Sequence, residues 1–381
     1  MIPVAAVGAL NSLQQCYTLY VSSSLGTTQD IQHMRNLISE RGTIRPRFFW
    51  SIVALVLVAL AAAGLIYHTS QNSRADRSDG LEKLTIAISP IPMSAPIYVA
   101  FDKGYFKHEG LDVTLVTFTS GKECLEAVLA AKADVAPAAE TPIMEAVMRG
   151  AKVRVLATVA DSEKISAVIT RKDRGISRPE DLKGKKIGVT PGTSGQYLLS
   201  TLLLFHGVAE ERTTMVPLKP EEMQDALLSG RVDAVATWEP YLSAITSALG
   251  PKGMTYYGTG FFRSTWNLVT RVDVVQQQPE SIRKLLRALM SSERFIIEKQ
   301  DEAIALVSQR TGVRAQELTP VWKDYYFRIA LDQSLLINFE NQAHWAIAHK
   351  VVPESKVPNF LDNIYTRGLA SVRPERVNIG G

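Results

Sequence analysis

The sequence predicts a two-lobed α/β protein, and three observations carry that prediction. Residues 126–140 read EAVLAAKADVAPAAE, and 99 positions on residues 225–239 read DALLSGRVDAVATWE. Each copy runs an amphipathic stretch into a basic residue (Lys132, Arg231), an Asp two later (Asp134, Asp233), a short small-apolar strand and a Glu (Glu140, Glu239). Upstream of each copy an apolar strand closes on Ile88-Ser89-Pro90 or on Val189-Thr190-Pro191. Each half therefore alternates strand and helix, which predicts parallel sheets with helices on both faces. Finally, 381 residues exceed one ordinary core, while 46% hydrophobic residues suffice for two.

The elements follow in order. A strand over 84–89 meets the Pro-rich loop 90–95, which defers helix to about Pro96, a good first-turn residue. That helix runs to Lys103 and stops at Gly104, a short hydrophobic turn follows, and a strand takes 112–118. Ser120-Gly121 opens the first repeat helix, with Leu125, Val128 and Leu129 on one face. Strands are expected at 134–138, 152–159 and 165–170, with a helix from Pro142 between the first two. Ser177 is the expected N-cap of a capping box with Glu180. Strand 186–190, the loop PGTSG, an apolar helix over 196–205 and the second repeat come next, then a strand at 265–270. From Pro279 to about His349 the pattern is helical and no further strand is expected. Lobe one is read as residues 81–164 and 271–370, lobe two as 165–270, and residues 371–381 as a tail.

Ahead of the lobes, residues 48–67 form twenty uncharged, apolar positions preceded by Arg41, Arg45 and Arg47, long enough to cross a bilayer with the later residues outside. Ala61, Ala62 and Ala63 offer a small-residue cleavage site, so an anchor and a cleaved signal both fit. Residues 68–80 read as a solvated linker, and residues 1–47 as a tail in which Met34 is the expected true start. The charge is +4 overall; residues 34–80 carry +3 and Asp30 −1, which leaves +2 for residues 81–381 and gives no argument for nucleic acid. Cys16 and Cys124 would join a leader to a core helix, so no disulfide is expected, and Cys124 reads as a small core residue.

In an open α/β sheet the carboxyl ends of strands face the ligand crevice. That rule nominates Ser89, Pro92, Met93 and Ser94 after the first strand, Ser120 and Gly121 after the second, and Glu140 and Thr141 after the third. In the second half it nominates Gly192, Thr193, Ser194 and Gly195, and opposite them Thr237, Trp238 and Glu239. Glycines and hydroxyls at a helix start leave N–H groups free for an anion, although ordinary capping would use the same residues. Trp238 could cover a ligand with its ring or pack the lobe interior, and the two Glu could hold a cation or complement a helix dipole. No HExxH, CxxC, GxSxG or Walker loop occurs, and His33, His68, His108, His206, His344 and His349 lack metal-ligand spacing, so neither enzyme activity nor a metal or cofactor is expected.

The run YVAFDKGYFKHEGLDV at 98–113, DLKGKKIGV at 181–189, GRVDA at 230–234 and WEPY at 238–241 resemble the substrate-binding proteins of nitrate, aliphatic sulfonate, taurine and bicarbonate ABC transporters, an NMT1/THI5-like group. The resemblance spans about residues 82–365. It implies a type II periplasmic binding fold, with hinge strands at 165–170 and 265–270, which here follows the one transmembrane or signal helix read from residues 48–67. It further implies a periplasmic or otherwise extracytoplasmic, monomeric receptor that closes on a small anionic organic molecule and hands it to a permease with its ATPase. Related proteins bind or make the thiamine pyrimidine, the latter with a cysteine cluster that has no counterpart here. A membrane-anchored sensor using the same cleft is a further alternative.

Overall fold

The computed structural model describes residues 80–380; the tail, the apolar span and nearly all of the linker expected before them lie outside the described residues. Among the described residues no helix is long and apolar enough to cross a membrane. The first half holds β1 (Glu82–Ile88), α1 (Ala95–Asp102), α2 (Tyr105–His108), β2 (Leu111–Thr117), α3 (Gly121–Leu129), β3 (Val135–Ala139), α4 (Glu140–Met148) and β4 (Val153–Ser162). Then come β5 (Ser166–Arg171), β6 (Lys186–Val189), α5 (Ser194–Phe205), β7 (Thr214–Pro217), α6 (Met223–Ser229), β8 (Ala234–Trp238), α7 (Tyr241–Leu249) and β9 (Gly253–Tyr257). The chain finishes with β10 (Ser264–Arg271), α8 (Val272–Gln277), α9 (Pro279–Glu298), α10 (Gln300–Thr311), α11 (Ala315–Val321), β11 (Tyr326–Asp332), α12 (Gln333–Ala348), α13 (Thr366–Ala370) and β12 (Val377–Asn378).

A seven-stranded sheet runs β12-β11-β4-β10-β3-β1-β2 and a five-stranded sheet β7-β6-β8-β5-β9. Both are mixed rather than parallel. The βα crossovers keep β1, β2 and β3 parallel, but β10 enters between β3 and β4 antiparallel to each. Likewise β5 lies antiparallel to β8 and β9, while β6 is parallel to β7 and β8. In β5, Ala167 and Ile169 face the core under α6 and α7, and Val168 faces the one under α5. A strand buried on both faces reads as a continuous apolar run, as SAVIT does.

Three expectations are corrected. The runs 165–170 and 265–270, expected as hinge strands, belong to the sheets themselves, β5 pairing along its length in the five-stranded sheet and β10 in the seven-stranded one. The chain instead crosses between the sheets in the unpaired residues 163–165 and 258–263, so the second border falls ahead of Ser264. Arg263 ties the crossings together, its guanidinium donating to Asp161 at 2.6 Å and Glu163 at 2.9 Å. Strands also do not end at residue 270: β11 pairs with β4 inside the helical stretch, and Val377 and Asn378 of the supposed tail pair with β11. Lastly, Arg178 rather than Ser177 is the N-cap, and Asp181 rather than Glu180 is the carboxylate of the capping box, accepting the N–H groups of both Ser177 and Arg178.

The repeat is a bracing device. In one lobe the Asp134 carboxylate accepts the Thr85 N–H at 2.7 Å, and in the other Asp233 accepts the Lys186 N–H at 3.0 Å. Each Asp thus ties its repeat unit to the neighbouring parallel strand, in the middle of β1 and at the first residue of β6. The equivalence goes further. Arg271, at the end of β10, donates to the Val128 and Ala133 carbonyls at 2.9 Å, and Arg171, at the end of β5, donates to those of Leu227 and Leu228 at 2.9 and 2.8 Å. Each satisfies at least one C-terminal carbonyl of its repeat helix, and both pair with an Asp two residues on (Asp273, Asp173). Replacing either bracing Asp by Ala leaves a strand N–H unpaired and is expected to lower stability by roughly 1–3 kcal/mol. The two sites share no partner, so urea midpoints should show the losses adding in the double variant.

Candidate functional site

The cleft lies where the two sheets face each other. Met93, Ser120, Gly121, Lys122, Ala139 and Pro142 line it from the seven-stranded lobe together with Ser264 and Trp266, and Ile91 closes that wall. Thr193, Ser194 and Trp238 line it from the five-stranded lobe, with Ile165 and Ser166 beside the first crossing. The cavity is small: centres of water-sized molecules can occupy about 30 Å³ of it, space for roughly two waters, so the lobes are nearly shut.

Two helix N-termini meet there, one from each lobe. Ser120 caps α3, its hydroxyl accepting the Glu123 N–H at 3.3 Å and its carbonyl the Cys124 N–H at 3.0 Å. The first-turn N–H groups of Gly121 and Lys122 have no intrahelical acceptor. Thr193 is the N-cap of α5, but its hydroxyl turns away to the Thr190 carbonyl at 2.7 Å. The Thr193 carbonyl takes the N–H groups of Gln196 and Tyr197, and those of Ser194 and Gly195 are first-turn donors without an intrahelical acceptor. Paired helix N-termini of this kind favour an anion. Lys122 is the one ionisable residue of the lining, and its Nζ also donates across the cleft to the Pro191 carbonyl at 3.0 Å. Beside it the Glu145 carboxyl is pushed up by burial, opposed by the charges of Lys122 and Arg149.

Of the nominated residues, Met93, Ser120, Gly121, Thr193, Ser194 and Trp238 line the cavity. Ser94 stands behind it: its hydroxyl accepts Trp266 Nε1–H at 3.2 Å and donates to the Ser89 carbonyl at 3.1 Å, fixing the ring that forms part of the wall. Ser89, Pro92 and Thr237 are buried off the lining, and the Thr141 hydroxyl donates to Gln342 at 2.6 Å. Gly192 adopts φ +69°, with Lys122 Nζ and Glu145 Oε2 each 2.7 Å from where a Cβ would stand, so glycine lets the loop slip between them. Gly195 brings α5 close to the Ala236 carbonyl.

The two Glu of the repeat do different structural jobs. Glu140 is fully buried and accepts the Thr265 N–H at 2.8 Å and hydroxyl at 3.1 Å. Glu239 accepts the N–H and hydroxyl of Ser243 at 3.1 and 2.9 Å, one turn into α7. Burial pushes both carboxyls up, against the pull of those same hydrogen bonds. Sequence reasoning did not nominate Lys122 or Trp266. Lys122 follows a Ser-Gly cap directly, which was a usable signal; Trp266 sits mid-strand, where only the antiparallel entry of β10 brings it beside Ala139.

A profile of the NMT1/THI5-like family matches residues 91–303. A Bacillus subtilis (strain 168) protein that carries a provisional name as an aliphatic sulfonates-binding protein is 27% identical over 257 residues, 66% of this chain and 77% of that one. A Saccharomyces cerevisiae (strain ATCC 204508 / S288c) 4-amino-5-hydroxymethyl-2-methylpyrimidine phosphate synthase is 26% identical over 233 residues, 57% of this chain and 67% of that one. Among solved structures, the alkanesulfonate-binding protein of Xanthomonas axonopodis pv. citri bound to MOPS superposes with TM-score 0.66 at 19% identity, covering 74% of this chain and 98% of that one. The periplasmic nitrate-binding protein of Synechocystis PCC 6803 gives 0.65 at 14% identity, covering 77% and 89%. The fold is that of these periplasmic binding proteins, and with over half its length matched by the profile, the chain belongs to the NMT1/THI5-like family.

Proposed function

We propose that this protein is an extracytoplasmic solute receptor of an ABC importer, held or delivered by its apolar segment 48–67, which closes on a small anionic organic molecule and presents it to a permease driven by an ATPase. The observation that carries the reading is the meeting of two helix N-termini, one per lobe, with Lys122 in a single cleft. An anion seated there touches both lobes at once, so it binds the closed form better than the open one and shifts the population toward it. The names of the sulfonate- and nitrate-binding relatives support this choice of ligand chemistry.

Thermal unfolding of the protein against taurine, methanesulfonate, nitrate and bicarbonate tests it. One of these should raise the midpoint progressively with concentration, equivalent to about 2.7 kcal/mol at a hundredfold excess over Kd. Lys122→Ala should weaken that ligand about 10- to 100-fold, the worth of a charge-assisted hydrogen bond. No shift with any of the four would remove the reading. The yeast synthase relative supports a second one, pyrimidine phosphate chemistry in the same cleft, and a midpoint raised only by a pyrimidine phosphate would favour it.

A further inference from the structure

The end of α12 in one lobe meets the flank of α5 in the other. There His349, the C-terminal cap of α12, places its Nε2 3.3 Å from Oε2 of Glu210, in the turn that follows α5. The other ring nitrogen, Nδ1, lies 2.9 Å from the Trp345 carbonyl. We infer that this contact is a proton-operated latch, which holds the lobes shut while both ring nitrogens carry hydrogen and lets them part when one proton leaves.

Donors and acceptors decide the state of the ring. A carbonyl only accepts, so Nδ1 donates to Trp345; a carboxylate only accepts, so Nε2 must carry hydrogen as well to face Glu210. Both conditions hold together only in the imidazolium. Glu210 Oε2 is itself buried and has no hydrogen-bond partner among the described residues, so the imidazolium 3.3 Å away is the charge that answers it. The surroundings favour a cation. The ring caps a helix C-terminus and lies against the Trp345 indole at 5.7 Å, and that indole meets Tyr197 of the other lobe edge to face at 5.2 Å. Glu211 and Tyr197 line the same groove from α5 and the turn after it, and no Lys or Arg does. Lys350 follows His349 in the chain, and Arg149, at the end of α4, is engaged with the Val351 carbonyl at 3.0 Å. Once Nε2 is bare, its lone pair confronts a buried carboxylate oxygen across the interface, and parting the lobes relieves both. A histidine changes charge between pH 5 and 8. The closed form binds the extra proton, so closure is strongest on the acid side of that range and weakens as pH rises through it. From the proposed function the inference takes only that the lobes open and close, and a failed ligand screen would leave it standing.

Spin labels at Lys132→Cys and Arg231→Cys, exposed positions one per lobe, report lobe separation in the ligand-free full chain, with Cys16→Ser removing a competing thiol. Between pH 5.5 and pH 8 the open-to-closed ratio from dipolar distances should rise roughly 3- to 30-fold. Glu210→Gln should abolish the rise, because an amide N–H can donate to the bare Nε2, and His349→Gln should abolish it by removing the titrating ring. Both side chains are partly exposed, and melting midpoints near that of the wild type check that the fold is kept. His206→Gln is the control: it removes a contact to Glu180 at 3.1 Å that lies within one lobe, and the rise should stay. A separation independent of pH, a rise that survives Glu210→Gln or His349→Gln, or one lost in His206→Gln would each overturn the inference.

Discussion

Replacing Glu140 by Ala is expected to destabilise the protein by roughly 2–4 kcal/mol, among the largest single effects available outside the apolar core. The carboxyl is fully buried and its Oε2 holds the Thr265 N–H and hydroxyl and, at 3.4 Å, the Ser264 hydroxyl. Truncation leaves those donors facing an apolar hole, at the first residues of β10 after the crossing. Glu140→Gln separates the acceptor from the charge, since its amide oxygen can still accept the Thr265 N–H. Burial raises the folded carboxyl above its unfolded value, so the native state holds its proton to higher pH than the unfolded chain. Its contribution to stability is then full below the unfolded carboxyl range, near pH 4, and is lost as pH rises through the elevated folded value. The wild type should therefore lose ground to Glu140→Gln between pH 5 and pH 8. Urea unfolding of both at the two pH values checks this, and a pH-independent difference would contradict it.

Gly121→Ala should unseat the cleft. A Cβ there would overlap Trp266 Cη2 and lie 2.8 Å from Cζ3, with the Ala138 Cα 3.2 Å away. The indole cannot swing freely, because its N–H is bonded to Ser94. Either the ring tears from Ser94 or the N-terminus of α3 lifts, and overpacking of this kind costs about 1–3 kcal/mol. Functionally the effect is larger, because Gly121 and Trp266 both line the cleft and displacing either moves its wall. Gly121→Ala should abolish any ligand-dependent rise in melting midpoint, and adding Trp266→Leu should return most of the lost stability by making room. Failure of that double variant to recover stability would show that the clash is not the cause.

The periodic parts of this fold were readable from sequence. The repeat placed Asp134 and Asp233 at matching sites, and the strand-end rule brought Met93, Ser120, Gly121, Thr193, Ser194 and Trp238 to one cavity lining. The features that stayed hidden are made by pairing between distant segments. Arg171 and Arg271 cap the two repeat helices equivalently, yet one comes about 55 residues before its helix end and the other about 140 after, so no fixed period exposes them. The strand YFRIALD carries ordinary apolar residues between helices, and only its antiparallel fit against β4 makes it a strand. The role of the shared Glu stayed open for another reason. At a helix start its chemistry suits a ligand as well as a neighbouring backbone, and only burial against Thr265 or Ser243 tells them apart.

The entry of β10 between β3 and β4 also sets a timetable for synthesis. The five-stranded lobe is contiguous from β5 to β9, so all its strands exist once residue 257 has emerged. The other lobe has made β1 to β4 by residue 162, yet its central slot waits for residue 264, roughly 5–20 s later at ordinary translation rates. Through that interval two apolar strand edges stand open in the older half of a nascent chain. The lobe finished first is the one inserted in the middle, and the lobe begun first is sealed from its far side, by residues that have travelled through its neighbour.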